Sequence, residues 1–352
     1  MNKIVKKAMA AALALTIVGG GIPALSGGID IFKPAIVANA EVKKVALTNV
    51  SVDLDDSITL KFYATKESVD AAGVDSVTLT GSNDQINLTS FKTDVSGKNY
   101  VFSYPLYANQ LDENITIKFK KGTSTALIIA GGNNYTNYTY SINSYCDAVI
   151  DTTVSDSTKN MVKSLKNLGI AADNYFDGTE IGISFLDSDY DLSDFAPMAD
   201  ADVKFSLVLD SKLSARVYIP DLPDSGKYDN YSAIKGKGGK NCFEISNIKP
   251  TDLDEEYVFE YGSHLVLFKP LAFCYRAITN NSENSEIAKA IYEYYEYAKA
   301  YEYDHPTIYV DCIALPYRKT FKIERGMTWR ELFVNNYDAQ VYNKAWDIPV
   351  GA

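Results

Sequence analysis

LDDSITLKFY, residues 54–63, is written a second time, with conservative changes, as LDSKLSARVY at residues 209–218. Leu, Asp and Tyr are identical in place, while Ile/Leu, Thr/Ser and Lys/Arg exchange. Working outward, Lys98-Asn99 matches Lys240-Asn241, and Leu111-Asp112-Glu113 matches Leu253-Asp254-Glu255. Tyr145-Cys146 then matches Phe273-Cys274. Met161, Leu165, Ala172 and Tyr175 match Ile287, Ile291, Ala298 and Tyr301. The offset shrinks from 155 to 142 to 128 to 126, always in the same order. Colinear blocks with a shrinking offset are the signature of one fold written twice, with loop insertions in the first copy.

Each copy opens on strands. Ile58, Leu60 and Phe62 alternate with Thr59, Lys61 and Tyr63, a period-two pattern that predicts one buried face. Leu213, Ala215 and Val217 repeat it. Ile115, Ile117 and Phe119 predict a further strand, answered by Tyr257, Phe259 and Tyr261. Each copy closes on helix. Met161, Leu165, Leu168, Ala172 and Tyr175 form one stripe at helical spacing, and Ile287, Ile291, Tyr294, Ala298 and Tyr301 step identically. A shorter helix is expected before each, near 145–150 and 273–278. The expected class is α+β, with two repeated modules, each a β-sandwich-like strand region followed by a helical hairpin. The divisions are an export signal at 1–40, module 1 at 41–180, an acidic linker at 181–200, module 2 at 201–304 and a small α+β segment at 305–352. In that last segment, residues 309–323 read as two strands around Pro316, and Thr328 with Glu331 forms a capping box.

The run from LDSKLSARVY through DLDEEYVF, PLAFCYRAI and AIYEYYEYAKAYEY resembles a module of large secreted and surface proteins of anaerobic Gram-positive bacteria. The resemblance covers residues 45–304 and rests on patterns without a catalytic signature. It implies an extracellular location and a modular architecture, and it carries no established activity.

The N-terminus agrees with export. Lys3, Lys6 and Lys7 precede an apolar run from Ala8 to Val18, and Ala38-Asn39-Ala40 supplies a small-x-small cleavage site at Ala38 and Ala40. That run is too short for a membrane span, and no later segment is long and apolar enough to make one. The formal net charge is −11, and residues 1–40 hold four lysines against Asp30 alone, which leaves the remainder at −14. So acidic a chain repels phosphate backbones, which argues against a nucleic-acid partner. Four cysteines are too few for a disulfide scaffold. Cys146 and Cys274 fall at equivalent positions and read as buried thiols.

Chemistry is sparsely marked. The two histidines, His264 and His305, belong to no metal or nucleophile motif. No cofactor is indicated, apart from a candidate Ca²⁺ loop in DSDYDLSD, where Asp187, Asp189 and Asp191 place oxygen ligands at alternate positions. That loop has Leu192 where an EF-hand requires Gly and Met198 where it requires Glu, so an irregular site or a solvated linker are the readings left. The 26 tyrosines are the strongest functional hint. A flat ring with a polar tip suits stacking on sugars and protein interfaces. Tyr292, Tyr295 and Tyr303 lie off the apolar stripe of their helix and are expected to be exposed. Tyr135 and Tyr138 lie in the polar run NNYTNYTY. The sequence therefore reads as a secreted or cell-surface, non-catalytic binding or adhesion protein, contacting glycans or surface proteins. A structural spacer of an extracellular assembly is the alternative, and a polysaccharide hydrolase with an unmarked carboxylate pair is a third.

Overall fold

The computed structural model describes residues 44–324, apart from 55–56, 83, 95, 188, 211, 224–226, 229–230, 262–263, 305–306 and 315–316. The export signal with Ala38 and Ala40, the Thr328 capping box and His305 fall outside the described residues.

Eleven strands come first: β1 (Val45–Asp53), β2 (Thr59–Thr65), β3 (Ser76–Thr80), β4 (Gln85–Leu88), β5 (Lys92–Thr93), β6 (Asn99–Pro105), β7 (Ile115–Lys121), β8 (Ser124–Thr125), β9 (Ile128–Ala130), β10 (Asn133–Tyr135) and β11 (Tyr138–Tyr140). A short helix, α1 (Lys66–Ala72), lies between β2 and β3. The strands make two sheets, ordered β10-β9-β1-β2-β6-β5 and β11-β7-β3-β4. Buried rings meet between them: Phe102 on β6 lies edge-on to Phe119 on β7, centroids 5.3 Å apart. Strand β7 alternates as its sequence predicts, with Ile115, Ile117 and Phe119 buried. Strand β2 does not. Leu60 and Phe62 are buried, but so are Thr59 and Tyr63 on the opposite face, where Ser51 Oγ donates to the Tyr63 hydroxyl.

Helices α2 (Ile142–Ile150) and α3 (Asp156–Asp177) follow. Ser141 and Ser155 cap them, each accepting from the backbone N–H three residues on. Gly178, at φ 69°, ends α3 in the left-handed conformation that glycine adopts without strain.

The second half holds β12 (Lys204–Leu209), β13 (Leu213–Tyr218), β14 (Lys227–Tyr228), β15 (Tyr231–Lys235), β16 (Asn241–Ile248), β17 (Tyr257–Tyr261) and β18 (His264–Phe268), then α4 (Ala272–Thr279) and α5 (Ser285–Asp304). The first five form one sheet, β12-β13-β16-β15-β14, and β17-β18 is a separate hairpin. Phe243 on β16 stacks on Phe259 of β17 at 5.3 Å. Last, β19 (Thr307–Ala314) and β20 (Tyr317–Glu324) pair antiparallel on either side of Pro316. Helices and several sheets thus coexist, as the α+β expectation requires.

Helices α3 and α5 pack against each other at the centre, and one apolar cluster runs from Val45 to Ala298 through both halves. The expected stripes are buried except at their last residues: Tyr175 at the end of α3 is 44% exposed, and Tyr301 near the end of α5 is half-buried. Burial goes further round α5 than its stripe: Ala288, Ala290, Glu293 and Tyr295 are buried too.

For Glu293 and Tyr295 the cause is the segment at 181–200, which its acidity marks as a solvated linker. It instead lies across α5, with Leu192 and Phe195 buried in it. Its anchor is Glu293, fully buried on α5. Oε1 accepts from the backbone N–H of Leu186 (2.6 Å) and of Asp187 (2.9 Å), and from the Tyr190 hydroxyl (3.1 Å). Oε2 accepts from Asn167 Nδ2 of α3 at 3.2 Å. Four donors solvate a carboxylate that water no longer reaches.

Candidate functional site

The docked segment decides the fate of the off-stripe tyrosines. Tyr295 is buried, 6% exposed, against the expectation of exposure, because Phe195 covers it edge-on at 6.1 Å. Tyr292 is half-buried between Tyr190 (5.9 Å) and Phe195 (6.1 Å). Both rings bind the linker to α5. Burial raises their phenol pKa values, with Glu296 beside Tyr292 and Asp254 beside Tyr295 adding to the effect. Tyr303, the next-to-last residue of α5, stands alone at 80% exposure. The three named on α5 are therefore not one patch.

The tyrosines of NNYTNYTY behave differently. Tyr135 ends β10, and Tyr138 and Tyr140 are two residues apart on β11, so both project from one face of an edge strand. Their rings form a row: Tyr135 meets Tyr138 edge-on at 5.4 Å, and Tyr138 stacks on Tyr140 at 6.2 Å with planes 16° apart. The row bridges the two sheets, since β10 belongs to one and β11 to the other. Each ring is half-buried against the core, which raises the Tyr138 and Tyr140 pKa values by desolvation and keeps both phenols neutral donors. Asn133, Thr136 and Asn137 stand exposed beside them, while Thr139, between the two β11 rings, projects from the opposite face and pairs with Thr116. Tyr140 was not singled out by composition, although its i, i+2 spacing from Tyr138 on a strand is the signal that finds it.

The candidate calcium loop does not close. Asp191 Oδ1 accepts from the backbone N–H and hydroxyl of Ser193 (3.0 and 2.8 Å), and Asp187 Oδ2 accepts from the Tyr297 hydroxyl at 3.2 Å. Asp187, Asp189 and Asp191 do not gather. Among the described residues, the one grouping of three metal-ligating side chains is Asp200, Asp202 and His264. The sequence does not mark it, because His264 lies 64 and 62 residues beyond the two aspartates.

Cys146, Cys242 and Cys274 are buried free thiols. Burial pushes the Cys146 thiol up to about 12, and Cys274 rises for the same reason, so neither is a nucleophile. No helix among the described residues is long and apolar enough to cross a membrane. Comparisons with protein-family models, with curated proteins and with solved structures found no match for this chain.

Proposed function

We propose that this is an exported, cell-surface binding protein built from a duplicated α+β unit, and that it engages glycans through the row Tyr135, Tyr138 and Tyr140. The observation that carries the proposal is the row itself. Three neighbouring rings on two edge strands, open on one side and rimmed by amides and hydroxyls, offer both elements of sugar recognition. Ring faces take the apolar C–H face of a pyranose, and the rim takes its hydroxyls.

Several features support the duplication. Strand order β1-β2-β6-β5 in one sheet corresponds to β12-β13-β16-β15 in the other. The Leu111 carbonyl accepts from Asn143 N–H (2.8 Å) and the Leu253 carbonyl from Leu271 N–H (3.1 Å), which are equivalent residues in the two copies. Asn167 and Glu293, also equivalent, hydrogen-bond to each other across the α3–α5 contact, as two-fold related positions would. A small cavity between the halves is lined by matched pairs, among them Leu54 with Leu209 and Leu168 with Tyr294. Among the described residues, the second half has no counterpart of the tyrosine row.

Retention of residues 41–352 on insoluble polysaccharides, mucin and Gram-positive cell walls tests the proposal. Saturable binding that Tyr138→Ala and Tyr140→Ala weaken by about 1–3 kcal/mol, with stability retained, is the expected outcome. Binding unchanged by both substitutions refutes the assignment of the row. The spacer reading draws on the shared core, which joins both halves into one body, and it predicts self-association without retention.

A further inference from the structure

We infer that Asp200, Asp202 and His264 form a binding site for a late first-row divalent cation of the Zn²⁺ class. One carboxylate oxygen from each aspartate and one imidazole nitrogen lie within 4.8 Å of one another, the spacing of ligands around a single ion. His264 Nδ1 and Asp200 Oδ2 are 2.7 Å apart, so an ion there replaces the shared proton between them.

The ligands are held in place before any ion arrives. Met198 and Leu267 exchange two backbone hydrogen bonds, both 2.8 Å, which tie the chain before Asp200 to β18, the strand that His264 begins. Beyond Asp202, Val203 is fully buried, and its carbonyl accepts from Arg276 Nη1 of α4 at 2.7 Å. Val203 N–H closes the turn on the Asp200 carbonyl at 3.1 Å. A segment of four residues pinned at both ends, opposite a strand start, loses little freedom on binding.

Electrostatics point the same way. Among the described residues neither aspartate is paired with a lysine or arginine, and the imidazole of His264 is the one basic group between them. Two adjacent carboxylates without a fixed cation favour a mobile one. One nitrogen and two oxygens form a borderline donor set, which suits Zn²⁺ better than Ca²⁺ with its all-oxygen shell. Three protein ligands leave a fourth position open to solvent or to an incoming donor group. Bound metal ties the linker to the β17–β18 hairpin and stabilises the fold by mass action.

Calorimetric titration of the metal-free protein with ZnCl₂ tests the site, alongside His264→Ala and Asp202→Asn. The expected result is one Zn²⁺ per chain, bound at least about tenfold more weakly by either variant, a loss of about 1.4 kcal/mol. Millimolar CaCl₂ is expected not to displace it. Asp202 is exposed, so Asp202→Asn keeps the fold and decides the matter if His264→Ala does not. Absence of heat, Zn²⁺ binding unaffected by Asp202→Asn, or ready displacement by Ca²⁺ would each overturn the assignment.

Discussion

The matched blocks of sequence align Asp173 with Lys299, and Asp112 with Asp254. In the second half they form an ion pair, Lys299 Nζ to Asp254 Oδ1 at 3.0 Å. In the first, burial and the charges of Asp112 and Asp177 push the Asp173 carboxyl up to about 6. Burial and the nearby Glu255 do the same to Asp252. A carboxyl with a raised folded pKa keeps its proton longer in the fold than in the unfolded chain. The folded state therefore binds more protons from the ordinary carboxyl pKa up to about 6, and this contribution to stability falls as pH rises through that window. Asp173→Lys recreates the partner arrangement. Thermal melts across pH 4–7 are expected to show the variant more stable than the parent by roughly 0.5–1 kcal/mol above pH 6, a surface-pair magnitude. The difference should vanish towards pH 4. A variant equal to the parent at every pH shows that Asp173 does not feel its neighbours. The raised carboxyl is invisible in sequence, because Asp112 and Asp173 meet only when α3 packs on the turn before β7.

That same packing sets the rules for α3 as an element. Its caps and stripe are legible from Ser155, Gly178 and the spacing of Met161, Leu165 and Leu168, all local features. Gly169 is not legible in that way, since a glycine inside a helix ordinarily costs about 1 kcal/mol against alanine. The structure supplies the reason. A Cβ at position 169 would stand 2.9 Å from Leu111 Cδ1, 3.2 Å from its Cγ and 3.3 Å from its Cβ. Leu111 is itself 1% exposed, so the whole side chain has nowhere to go. Overpacking of this kind costs about 1–3 kcal/mol, which outweighs the gain in helix propensity. Gly169→Ala is expected to lower the urea midpoint. A rise would mean that the turn carrying Leu111 yields easily.

For the whole molecule, Glu293 is the point where both halves and the linker meet. Glu293→Ala leaves the Leu186 and Asp187 N–H groups without their acceptor in a buried place, and removes the Asn167 link between α3 and α5. The expected cost is about 2–4 kcal/mol, with amide exchange at 186 and 187 accelerated well beyond that of the β2 amides. Equal acceleration at both places would mean that the linker opens only with global unfolding. Because one apolar cluster spans both halves, the parent protein should unfold in a single calorimetric transition, although its sequence reads as two modules on a string.

The sequence alone determined the α+β class, the alternation of β7 and most of the buried stripes of α3 and α5. Each of those is a short-range periodicity that the chain must satisfy wherever the element sits. Tertiary structure decided what the linker does, which tyrosines stay open and where His264 finds its aspartates. Phe195 covers Tyr295, and Asp200 reaches His264, only because residues 181–203 fold back over α5 and β18. Nothing in the local spacing of either partner encodes that approach. It follows from apolar side chains in an acidic segment having the exposed flank of a helix to bury against.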